Sequence, residues 1–173
     1  MELEMWLNSI NLKRKKMSKT KKQKMELLYR ICKALSPLYG ELEDEKVKGQ
    51  ICTMIGAQIF YIGCPAESFQ KISVEGKNEL AALQAEGLSK AKALQKLTKE
   101  HQTPRKIGGL ELMEYMAGHK VTYEEFESKL QTYLKWNYVT KQENNNLKPF
   151  QKVGKFTTPE ESYRAAGVVL TDF

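Results

Sequence analysis

The chain has 173 residues, enough for one domain with a sizeable core, and 28 basic against 21 acidic residues give it a net charge of +7. Three cysteines without CxxC spacing, Cys32, Cys52 and Cys64, argue against a disulfide framework or a structural zinc site and for a reducing compartment. The charge is concentrated in Lys13–Lys24, which holds Lys13, Arg14, Lys15, Lys16, Lys19, Lys21, Lys22 and Lys24; without these eight the balance is 20 basic to 21 acidic, a net of −1. A near-neutral body with one cationic segment implies an anionic partner: nucleic acid, a lipid surface or an acidic protein.

Residues 1–12 lack the basic start and apolar run of a signal peptide. Trp6, Ile10 and Leu12 fall in phase, so a strand with one apolar face is expected there. The basic segment follows as a loop over 13–24, because like charges at this density repel within a regular element. From Gln23 to Ser36 the period becomes helical, with Met25, Leu28, Ile31, Cys32 and Leu35 on one stripe, and Pro37 is expected to end the helix. Glu41-Leu42-Glu43-Asp44-Glu45 reads as a solvated acidic loop, with the basic segment as one candidate partner.

The uncharged stretch Gly49–Ala66 is interrupted by Gln50, Gly56, Gln58, Gly63 and Pro65 and is too short to span a bilayer. Its β-branched and aromatic content over Ile51–Ile62 suits a central strand, with Gly56 at a bulge or bend. Ile72 and Val74 suit a short strand. Asn78–Glu100 reads as a helix weakened at Gly87. His101–Gly109 reads as a basic loop, with Arg105 and Lys106 as a second basic patch. Leu110–Val121 fits strand or helix equally.

Thr122-Tyr123-Glu124-Glu125 is a capping box, so a helix starts there and runs to about Asn137, with Phe126, Leu130, Tyr133 and Leu134 buried. A flexible polar connection is expected at 140–157. Thr158-Pro159-Glu160-Glu161 starts a short helix, and Ala166–Leu170 reads as a last strand. The whole reads as α+β: one small domain over 1–173, with helices packed on a mostly antiparallel sheet.

Catalytic signals are few. The chain has two histidines, His101 and His119, and two aspartates, Asp44 and Asp172. Both histidines read as surface residues, and the cysteines as small buried thiols. There is no GxGxxG or Walker sequence, and Gly108-Gly109 reads as a turn or a small anion nest. Acids at Glu124-Glu125 and Glu160-Glu161 sit in first helical turns, where the helix dipole accounts for them. No enzyme activity, cofactor or metal site is expected. The basic segment lacks interleaved aromatics for stacking bases, which favours a phosphate-rich surface over base reading. KRKK also has the form of a nuclear-import signal.

The order of WLNSINLKRKK, KQKMELLYRICKALSPLYG, QICTMIGAQIF, GGLELMEYMAGHKVTYEEFESKLQTYLKW and AAGVVLTDF resembles the layout of rhabdovirus matrix proteins, and size and charge resemble the plant-infecting cytorhabdoviruses. The resemblance implies a viral structural protein that binds the inner leaflet of an envelope, condenses the nucleocapsid and self-associates during assembly and budding. Implied partners are an anionic membrane surface, viral nucleoprotein–RNA, a glycoprotein cytoplasmic tail and further copies of the chain. Implied locations are the virion, host cytoplasm and endomembranes, with the nucleus open. There is no PPxY or P(T/S)AP late motif, and Tyr39-Gly40-Glu41-Leu42 fits YxxL, a pattern frequent by chance. Trp6 and Met17 are candidates for the lipid interface, with core packing the alternative for Trp6. The competing reading is a small basic nucleic-acid-binding accessory protein of silencing-suppressor or movement type.

Overall fold

The computed structural model describes residues 20–63 and 69–173. The strand expected at 1–12, the basic residues up to Lys19, Met17 and Cys64 lie outside the described residues. In chain order the elements are α1 (Lys21–Glu41), α2 (Glu45–Ile62), β1 (Phe69–Ser73), α3 (Val74–Ala85), α4 (Lys90–Leu94) and β2 (Thr98–His101). There follow α5 (Arg105–Gly118), α6 (Tyr123–Tyr133), β3 (Trp136–Val139), α7 (Lys141–Leu147), a 3-10 turn (Lys148–Phe150), α8 (Pro159–Ala165) and β4 (Leu170–Thr171). The fold is α+β, as expected.

One half is a helical bundle. α1, α2, α5 and α6 share a core that includes Met25, Cys32, Ile55, Leu112, Phe126 and Leu130. Ile51–Ile62 is therefore helix, not a central strand. A continuous apolar run looks the same in a buried strand and a buried helix, and the chain before it decides. Asp44 Oδ1 accepts the N–H groups of Lys46 at 2.8 Å and Val47 at 3.3 Å. The acidic run is thus partly an N-cap that starts α2, with Glu45 already inside the helix.

Gly56 marks a helix crossing and not a bulge. A Cβ on Gly56 would collide with the carbonyl of Arg105, and one on Gly109 with the carbonyl of Cys52. These two glycines let the backbones of α2 and α5 touch. The expected basic loop ends at Pro104: Gly108 and Gly109 are buried inside α5, which excludes an anion nest, and the ambiguous stretch after them is helix through Gly118.

α1 runs through Pro37 instead of ending there. Proline cannot donate to the carbonyl four residues back. That carbonyl, on Lys33, instead accepts the hydroxyl of Ser36 at 3.1 Å. The exit residue Tyr39 is buried, and its hydroxyl lies 3.5 Å from Cys52 Sγ.

The other half is a four-stranded sheet in the order β2-β3-β1-β4. β1 and β3 run parallel; the β2–β3 and β1–β4 pairs are antiparallel. Ile72 lies in β1 as expected, but Val74 already begins α3, because Ser73 accepts the Gly76 N–H at 2.9 Å and caps that helix. α3 and α4 cover one face, over Ile72 and Tyr138. The long helix expected over 78–100 is broken at Gly87, whose φ of 92° is a left-handed turn. α7 and α8 cover the other face, over Val139, Leu147 and Tyr163. The capping box at Thr122 holds, and so does burial of Phe126, Leu130, Tyr133 and Leu134. The helix stops at Tyr133, however, and Trp136–Val139 crosses into the sheet. Residues 140–157 are not one polar connection: Thr140 and Glu143 form a second capping box, and α7 follows it. Pro159 opens α8 as expected, and the last strand shrinks to Leu170–Thr171 after a turn at Gly167.

Candidate anionic-surface interface

The first turn of α1 is Lys21-Lys22-Gln23-Lys24. Thr20 caps it in a reciprocal box with Gln23: the Thr20 N–H donates to Oε1 at 3.0 Å, and the Gln23 N–H donates to Oγ1 at 3.3 Å. The three lysines that fall within the described residues are therefore helical and not part of a loop. The box overrides like-charge repulsion in a turn where Lys22 is exposed and Lys21 and Lys24 are half-buried. Cations at a helix N-terminus oppose the macrodipole, and no acid in that turn offsets them. A phosphate or carboxylate bound there would relieve the conflict.

Lys24 has a second role. Its ammonium donates to the Tyr61 carbonyl at 3.0 Å, in the last turn of α2, where a cation suits the helix dipole. Beside it a groove of about 300 Å³ separates α1 from α2, lined by Lys24, Leu27, Leu28, Ile31, Gln58 and Tyr61. Leu27 is 43% exposed and Tyr61 is 67% exposed. Met54, also exposed, falls on the same helical stripe as Gln58 and Tyr61. Charge and exposed apolar surface thus meet at one place.

The two basic patches expected from the sequence converge in part. Arg105 lies over the Phe60 ring, Cζ 4.1 Å from its centroid, so consecutive residues of α2 receive Arg105 and Lys24. Lys106 points elsewhere, toward Gly49. His101, expected at the surface, is half-buried. It packs edge-on to Phe60, with centroids 5.2 Å apart. Burial, and then the Arg105 charge, push its pKa down to about 4. His119 is exposed, and its Nδ1 lies 3.1 Å from the Tyr115 carbonyl.

A buried polar cluster on the sheet carries no sequence signal. Glu100, 3% exposed, accepts the Tyr163 hydroxyl on Oε2 and Gln151 Nε2 on Oε1 at 2.5 Å. Asn137 Nδ2 donates to the Tyr163 hydroxyl at 2.9 Å, and Asn137 Oδ1 accepts the Lys71 N–H at 3.0 Å. Burial raises the Glu100 pKa to about 7, against the lowering effect of its two donors. Its four side chains come from positions 100, 137, 151 and 163, and no spacing pattern links them.

Cys32 and Cys52 are free and buried in the bundle, where burial pushes the Cys32 thiol up to about 12. Among the described residues no three His, Cys, Asp or Glu side chains gather as metal ligands, and no helix is long and apolar enough to cross a membrane. Compared with protein families, curated proteins and solved structures, the chain matches none.

Proposed function

We propose that this chain is a matrix-type structural protein that attaches peripherally to an anionic membrane surface. The carrying observation is the Lys24–Tyr61 contact, which fixes a cationic helix start beside exposed Leu27 and Tyr61. Each lysine or arginine near such a surface contributes about 1 kcal/mol, and apolar side chains at the headgroup level add their own burial. Lys13–Lys19 continue the cationic run directly upstream of Thr20 in sequence. Condensing a viral nucleocapsid during assembly and budding, with nucleoprotein–RNA and a glycoprotein tail as partners, belongs to the same proposal. It rests on charge and exposed surface and not on element layout, since QICTMIGAQIF and the first part of GGLELMEYMAGHK are helical.

A second reading, a nucleic-acid-binding accessory protein, has one observation in its favour. Phe173, 48% exposed, has Lys90 4.1 Å from its centroid and packs against the half-buried rings of Phe69 and Tyr138, while Trp136 in the same aromatic group is buried. Aromatics with interleaved cations are what single-stranded bases stack on. Flotation with phosphatidylserine vesicles, beside neutral vesicles and single-stranded RNA, separates the two. The membrane reading expects flotation with the anionic vesicles that weakens with salt. Tight RNA binding without flotation would sink it.

A further inference from the structure

A cavity of about 640 Å³ opens between α8 and the ends of the strands. Lys71, Lys135 and Arg164 line it against a single acid, Glu160. All four are exposed, and among the described residues none of the three cations makes an ion pair. One wall is apolar and includes Val169, a valine left 64% exposed. Three cations against one carboxylate, beside an apolar wall, suit an acidic segment that carries an aliphatic side chain.

This chain displays such a segment. Glu41, Glu43, Asp44 and Glu45 are exposed at the turn from α1 to α2, the densest acidic run in the sequence. Leu42 lies between them half-buried, and Leu38, one helical turn earlier, is 52% exposed. Asp44 spends one oxygen on capping α2, and Glu45 lies 3.3 Å from Lys48. Glu41 and Glu43 have no such partner among the described residues.

We infer that the acidic turn of one copy of this chain docks into the cationic groove beneath α8 of another. Glu41 and Glu43, the two carboxylates without a partner, meet the cations of the groove, and Leu38 and Leu42 meet the wall that holds Val169. The two surfaces differ, so the contact is heterologous and adds copies head to tail instead of closing a symmetric pair. It requires neither lipid nor nucleic acid.

Sedimentation velocity of the full chain, without lipid or RNA, tests this over a range of protein concentration and salt. The wild type should form species heavier than the monomer at low salt, growing with concentration and shrinking as salt screens the contact. Lys135→Glu with Arg164→Glu, or Glu41→Lys with Glu43→Lys, should each weaken association by roughly tenfold or more. All four side chains are exposed, and Asp44 is left in place so that α2 keeps its cap. A chain carrying both swaps should regain association. A wild type monomeric throughout, swaps without effect, or a doubly swapped chain that stays monomeric would each overturn the inference. Because no membrane is present, failure of the lipid reading leaves this outcome unchanged.

Discussion

Glu100 and His101 are neighbours on β2, and burial moves their protons in opposite directions. Glu100 turns to Tyr163 of α8 and to Gln151, and its pKa rises from 4.5 to about 7; His101 turns to Phe60 of the bundle, beside Arg105, and falls from 6.5 to about 4. Folding thus neutralises both groups.

The pH dependence follows from proton counts. Between pH 4.5 and 6.5 the unfolded pair holds one proton, on His101, and the folded pair also holds one, on Glu100. Equal counts give no slope, so the pair leaves stability flat in that window. Above it the folded state holds the extra proton, and stability falls until Glu100 ionises near pH 7. Below it the unfolded state holds more, and stability falls until His101 is charged near pH 4. Glu100→Gln should gain on the wild type by roughly 3 kcal/mol as pH rises from 4.5 to 7, measured by urea unfolding at each pH. A constant difference between the two proteins would show that Glu100 ionises normally in the fold.

Gly56→Ala and Gly109→Ala test the crossing of α2 and α5. Each methyl would meet backbone that cannot swing aside, so each should cost about 3 kcal/mol or more, at the upper end of overpacking penalties. Gly118→Ala is the control. It ends α5 with open space around its Cβ position and should be neutral or mildly stabilising, by up to about 1 kcal/mol. Thermal unfolding ranks the three, and an unshifted Gly56→Ala melt would contradict the close approach.

These glycines also show what the sequence reveals. A glycine within an apolar run marks a bulge in a strand and a close crossing in a helix, and periodicity did not separate the two for Ile51–Ile62. The start signals were more informative than the runs that follow them. Thr122–Glu125 located α6, and the same spacing in Thr140–Glu143 and Thr20–Gln23 opens α7 and α1, inside stretches whose polarity or charge reads as loop. The basic segment was legible because charge is local in sequence. Its apolar neighbours Leu27 and Tyr61 were not, because a tertiary contact between α1 and α2 brings them together. The Glu100 cluster was invisible for the same reason.

Pro37→Ala addresses the proline inside α1. Alanine would return the N–H that the Lys33 carbonyl lacks and free Ser36 from supplying a substitute. Relief of the interior penalty should exceed the unfolded-state entropy regained, for a net gain of about 1 kcal/mol. The measurement is the denaturant midpoint at constant slope. A lower midpoint would mean that the helix is built around the proline.

The groove between α1 and α2 predicts two separable contributions to vesicle binding. Lys21→Ala with Lys22→Ala removes exposed or half-exposed charge and leaves the Lys24–Tyr61 contact intact. Binding should weaken by roughly thirtyfold, and its salt dependence should become shallower, since each of the two cations near the surface is worth about 1 kcal/mol. Leu27→Ser with Tyr61→Ser removes exposed apolar surface and keeps every charge. Binding should again weaken, now with the salt slope unchanged, because apolar burial is not screened. Vesicle flotation at several salt concentrations reads both. If the apolar pair has no effect, attachment is electrostatic alone and the groove is not inserted. If the lysine pair has none, the cationic start of α1 does not face the membrane.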